Sequence, residues 1–361
     1  MTITAEILYE VALKLYEEED YDKVLDACAF ALKKDPEMVN VYLLQAAVYS
    51  IKQDYDNAIA SYNEIIKLEP SGIVYMERGS LYCENEDYDN AIADFNQAVS
   101  LGLNEHNLYF LRGYSYYEKK MYAEALTDYN EAIRLNSDSS DAYYHRGRFY
   151  IDREKDYDKA ISDFSEALRV NPSHTNSYYH RGRAYLETED YYNAISDSTE
   201  AIWLAPDFAF FYIIRGKAYK YLGDIPSAIA DFTKAISLDP SIDSAFFYRG
   251  EAYVHNEDYD SAVADFSEAI KLRPYNAFAY FSRGLAYAQK RFLDLAIADY
   301  TSAMNRGFLS VQSYYMRANA YLGKGDYENA VKDFEKALIF DPDHEESKKR
   351  LEAARSPAKR V

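Results

Sequence analysis

The chain holds only two cysteines, Cys28 and Cys83, in 361 residues. That excludes a disulfide framework and any zinc-ribbon spacing, and it fits a reducing compartment, so a cytoplasmic location is expected. No apolar run approaches 18 residues, so no membrane-spanning helix is expected. The opening residues, Met-Thr-Ile-Thr-Ala-Glu, have neither the basic start nor the apolar stretch of a secretory leader. Positive charge is in short supply. Forty Lys and Arg stand against sixty Asp and Glu, a net charge of -20. So acidic a surface repels phosphate backbones and anionic lipid, which argues against nucleic acid and membrane partners. The sequence also lacks a phosphate-cradling glycine loop, a Gly-x-Ser-x-Gly and a His-Glu-x-x-His. No catalytic residue, metal ligand or cofactor site is therefore assigned, and an enzyme is not expected.

What is present is a repeat. Arg-Gly recurs at Arg78-Gly79, Arg112-Gly113, Arg146-Gly147, Arg181-Gly182, Arg215-Gly216, Arg249-Gly250 and Arg283-Gly284. Successive glycines lie 34, 34, 35, 34, 34 and 34 residues apart. The single 35 is assigned to one extra residue in the turn at Arg153-Glu154-Lys155-Asp156. Within one copy, Phe246, Gly250 and Tyr253 fall on one face of a helix, and Ala262, Phe266 and Ala269 on one face of a second. Asn256 to Asp260 forms a polar turn whose Asp residues suit the start of the second helix. Pro274 stops the unit. Each copy thus reads as helix, short turn, helix. Gly250 and Ala262 allow the two helices to approach, and Tyr253 and Phe266 fill the remaining space.

This pattern resembles the tetratricopeptide repeat family. The family's leading aromatic is matched by residues such as Tyr75, Tyr109, Tyr143 and Phe246, its later Tyr by Tyr82, Tyr116 and Tyr253, and its Ala by Ala91, Ala125 and Ala262. Its Leu is replaced by Arg in most copies. Unit starts fall near 5, 39, 72, 106, 140, 175, 209, 243, 277 and 311, with the first copy degenerate (Ala12, Leu15, Val24 and Cys28 at the motif places). The resemblance implies an all-α, right-handed solenoid over residues 1–355. Residues 343–355 are expected as a polar capping helix and 356–361 as a frayed tail.

The resemblance also implies that first helices line a concave groove, where a partner protein or peptide binds. Carried over, the inward places hold Met76, Phe110, Tyr144, Tyr179, Ile213, Phe247, Phe281 and Tyr315 in one series. An exposed aromatic stripe is expected there, the alternative being that both adjacent aromatics are packed in a thick core. A second series places Arg148, Arg183 and Lys217 in consecutive copies, and Lys220 adds a fourth cation. The reading is a binding row of Tyr144, Arg148, Tyr179, Arg183, Lys217, Lys220, Phe247 and Phe281 for a segment carrying acidic and apolar residues. The carboxylate clamp and the Asn ladder known in relatives are not reproduced; Leu111 and His145 stand at such places. The recurring Arg and the recurring Asp of the second helix, Asp94 through Asp333, are expected to pair. Partly exposed pairs of this kind add roughly 0–1 kcal/mol each. The expected role is a non-enzymatic protein-interaction scaffold, monomeric or stacking end to end. The alternatives are a regulatory or targeting subunit of a complex and a receptor for a small peptide signal.

Overall fold

The structure is a computed structural model that describes residues 4–356. The tail expected to fray lies outside the described residues from 357 onward. Among the described residues there are 21 α-helices and no strand. Twenty of them form ten helix hairpins, from Ala5–Glu17 with Tyr21–Lys34 to Val311–Gly323 with Tyr327–Phe340, and a last helix spans Glu345–Arg355. First helices begin at Ala5, Val39, Gly72, His106, Ser140, Thr175, Ala209, Asp243, Ala277 and Val311. The hairpins, numbered one to ten below, fall into two compact units. Residues 1–174 hold five and residues 175–361 hold five and the last helix. Inside each unit a first helix touches its own second helix, the preceding second helix and the neighbouring first helices.

Local chemistry sets the hairpins. In eight of them an Asp side chain accepts the backbone N–H three residues on and caps the second helix, as Asp87 does for Asn90 and Asp258 for Ser261. The residue before the cap takes a left-handed backbone, at Lys120 with φ 63° as well as at Gly223 with φ 83°. The extra residue of hairpin five is absorbed earlier than the sequence suggested. The helix Ser140–Phe149 runs on into a π-type turn, Tyr150–Glu154, which widens the coil instead of lengthening the turn.

The core is a row of aromatic rings set against glycines. Phe164 and Phe266 are fully buried, and a Cβ on Gly147 or Gly250 would lie 2.8 Å from the ring of its own hairpin. Hairpin six departs from this. Ser198 stands where the ring should be, and the nearest atom to a Cβ on Gly182 is the Ile214 methyl at 3.6 Å. Ile214, buried at 5 % exposure, reaches in from hairpin seven.

Each Arg before the glycine grips the Asp of its own second helix with two hydrogen bonds. Arg249 Nε and Nη2 both lie 2.7 Å from the Asp265 carboxylate, and its Nη1 reaches Thr233 of the preceding hairpin at 3.0 Å. The guanidinium sits between the rings of Phe246 and Tyr253. The same grip recurs from Arg78–Asp94 to Arg317–Asp333. These pairs are more buried than the sequence suggested: the side chains of Asp265 and Arg249 are 7 % and 16 % exposed. Flanking rings exclude the water that would screen them.

Candidate functional site

The aromatic stripe expected along the first helices is not open throughout. Tyr144 is 8 % exposed, with its ring against Phe164, His145 and His174. Phe281 is 9 % exposed and packs on Tyr300 and Phe308. These two are core residues. A first helix meets more than one neighbouring helix, so two adjacent aromatic places can both be covered. Tyr179 and Phe247 of the same series are half-buried.

In the second unit the first helices of hairpins six, seven and eight border a cleft of about 350 Å³. Leu186, Phe210, Ile213 and Ile214 supply its apolar lining. Its charged lining is two cations and the exposed Glu187. Arg183 is exposed, with its guanidinium 5.6 Å from the Tyr179 ring centre. Lys217 is half-buried and holds its ammonium 4.9 Å from the Tyr248 ring centre. Neither makes an ion pair with a described carboxylate. Burial pushes the Tyr248 hydroxyl up, with Glu251 adding to it and Lys220 opposing.

Lys220 does not join them as a free cation. Its ammonium is 2.5 Å from Glu251, and its side chain is 9 % exposed. Phe247 borders a neighbouring cleft of about 860 Å³, which mixes charges of both signs, Arg273 and Arg306 with Asp243 and Glu251. Arg148 belongs to the first unit, where it lies 5.9 Å from the Tyr117 ring centre and 4.0 Å from Asp152. The sequence reading missed Tyr248, the ring that seats both Lys217 and Lys220. Its signal was variation: the matching place holds Glu77, Leu111, His145, His180 and Ile214 in earlier copies. Among the described residues no group of three or more His, Cys, Asp and Glu could hold a metal ion, and no helix is long and apolar enough to cross a membrane.

Family models described as tetratricopeptide repeat match residues 39–71, 73–101, 144–202, 215–277 and 311–344, and one described as TPR repeat matches 113–151. The chain belongs to the tetratricopeptide repeat family. Repeats of this family generally mediate protein–protein interactions and scaffolding, and the fold is typically non-enzymatic. Among solved structures, a tetratricopeptide repeat protein from Parabacteroides merdae ATCC 43184 is 19 % identical with a TM-score of 0.53, over 70 % of this chain and 99 % of that one. The APC/C hetero-tetramer Cut9-Hcn1 contains a chain 14 % identical with a TM-score of 0.53, over 98 % of this chain and 96 % of that one. Both share the fold. No curated protein matches the chain.

Proposed function

We propose that the chain is a non-enzymatic interaction scaffold that binds an acidic and apolar peptide segment of a partner in the cleft of hairpins six to eight. The supporting observation is the pair Arg183 and Lys217, two cations that form no ion pair with a described carboxylate although Glu187 also lines the cleft, set above aliphatic and aromatic side chains in a chain of net charge -20. Cations left unpaired beside buried apolar surface suit a ligand that brings its own carboxylates and apolar side chains. The two free, buried thiols suit a reducing, cytoplasmic setting.

The test is a random peptide library selected on the full chain, with the double variant Arg183→Glu/Lys217→Glu as counter-target. The expected result is enrichment of segments that combine Asp or Glu with aliphatic or aromatic residues, and at least a tenfold weaker hold by the double variant. Selected peptides that lack acids, or that bind the folded double variant equally well, would overturn the reading.

A further inference from the structure

The first unit carries a cleft of the opposite character. About 480 Å³ in volume, it lies between hairpins three, four and five. Four rings line it: Tyr88, Phe110, Tyr114 and His145. The His145 ring meets Phe110 at 5.3 Å and 60°, and Tyr114 at 5.4 Å and 81°; Tyr88 meets Tyr114 at 6.0 Å and 75°. All four are half-buried, so each leaves surface open. Glu84 and Glu86 also line the cleft, both exposed and neither ion-paired among the described residues.

No Lys or Arg lines this cleft. Two cations near it in sequence are engaged elsewhere. Arg148 is at the Tyr117 ring and Asp152, and Lys119 is 2.8 Å from Asp89. Burial pushes the Tyr88 hydroxyl up, with Tyr114 and, more weakly, the charges of Glu118 and Glu86 adding to it.

Ring faces attract a cation through their quadrupole, and desolvation strengthens the attraction. Carboxylates at the edge add to it, and the acidic chain steers cations inward. The ring angles favour one cation over another. The rings pack edge to face on one another at 60° to 81°, so the lining offers no flat, parallel stacking plane and suits a compact ammonium at the ring surface left open. A planar guanidinium is better served by parallel faces or by a forked carboxylate. We infer that the cleft bordered by Tyr88, Phe110, Tyr114 and His145, with Glu84 and Glu86, receives a lysine side chain of a partner protein. The site is independent of the cleft in the second unit and of opposite charge preference.

The probe is a fluorescein-labelled heptapeptide, Gly-Ser-Ala-Lys-Ala-Ser-Gly, titrated with the full chain and read by fluorescence anisotropy. Its counterpart carries norleucine in place of lysine, which keeps the aliphatic chain and removes the charge. The lysine peptide is expected to saturate and the norleucine peptide to bind roughly tenfold more weakly. Glu84→Gln/Glu86→Gln, at exposed positions that leave the core untouched, should weaken the lysine peptide by a similar factor. Tyr88→Leu should do so while keeping both carboxylates. A control pair of exposed turn residues, Glu189→Gln/Glu257→Gln, should leave binding unchanged. The inference is overturned if the wild-type chain does not bind the lysine peptide, if both peptides bind alike, if either cleft variant binds as wild type, or if the control pair loses as much.

Discussion

A carboxylate and a guanidinium buried side by side stabilise a fold only as long as both are present. Asp265 is nearly closed off from water, and its two oxygens take two of the Arg249 hydrogen bonds. Removing the acid by Asp265→Ala leaves Arg249 between Phe246 and Tyr253 with Thr233 as its remaining partner. A buried charge stripped of its counter-ion costs about 3–5 kcal/mol. The variant should therefore unfold at markedly lower urea, with amide exchange accelerating first in residues 243–272. The double replacement Arg249→Met/Asp265→Leu removes both charges and should recover most of the loss, since apolar packing of similar volume often matches a buried pair. Equal stability of Asp265→Ala and wild type by circular dichroism in urea would show that water still reaches the pair.

At the scale of the helix hairpin, the glycine of the first helix is held by the ring opposite it in six hairpins, at Gly79, Gly113, Gly147, Gly216, Gly250 and Gly284. A methyl group at Gly147 would meet Phe164 at 2.8 Å, a contact that forces a ring or a helix to shift. At Gly182 the first neighbour is 3.6 Å away, because Ser198 replaces the ring. The same substitution should thus act with opposite signs. Gly147→Ala should lower the melting temperature, by about 1–3 kcal/mol of overpacking. Gly182→Ala should raise it, since alanine is about 1 kcal/mol better than glycine inside a helix and here meets ordinary contacts. A thermal melt of the two variants by circular dichroism checks both. The hairpins and the Arg–Asp pairing were legible in the sequence because they recur at fixed spacing. Burial was not legible. Tyr144 and Tyr179 occupy equivalent places, yet the first is covered by Phe164 and His174 and the second is half-buried beside Arg183. Spacing assigns a face to a side chain, but neighbours from other hairpins determine how much of that face stays open. Lys220 drops out of the expected binding row for the same reason: its partner Glu251 belongs to the next hairpin.

In a repeat array, stability is a sum of hairpin terms and nearest-neighbour contacts, so it need not be uniform along the chain. The first two hairpins lack the Arg–Asp grip. Val11 and Ala27 stand at its places in the first, Gln45 and Ser61 in the second, and Arg78 with Asp94 is the first pair. The two cysteines report on either side of that change. Cys28 lies in the core of hairpin one with Ala12 and Val24, and Cys83 is buried in hairpin three, its thiol 2.9 Å from the Ser115 hydroxyl. Burial pushes the Cys28 thiol up to about 12 and the Cys83 thiol to about 11, the latter eased by Ser115. The thiolate is the reactive form, so at pH 8 iodoacetamide should label neither in the native chain. Labelling then measures opening. In rising urea Cys28 should be alkylated at a lower concentration than Cys83, as mass spectrometry of timed samples would show. Coincident midpoints would mean that the hairpins open as one cooperative body and that the missing grip has no consequence. The pH dependence has a definite sign. Both thiols ionise at a higher pH in the folded state than the ordinary 9.0. Their contribution to stability is therefore whole below pH 9 and is lost as the pH climbs toward the folded values. The separation between the two midpoints should accordingly persist at pH 7, where labelling of the opened thiols is slower but their ionisation adds almost nothing to stability, because it arises from the Arg–Asp pairs and not from the sulfur.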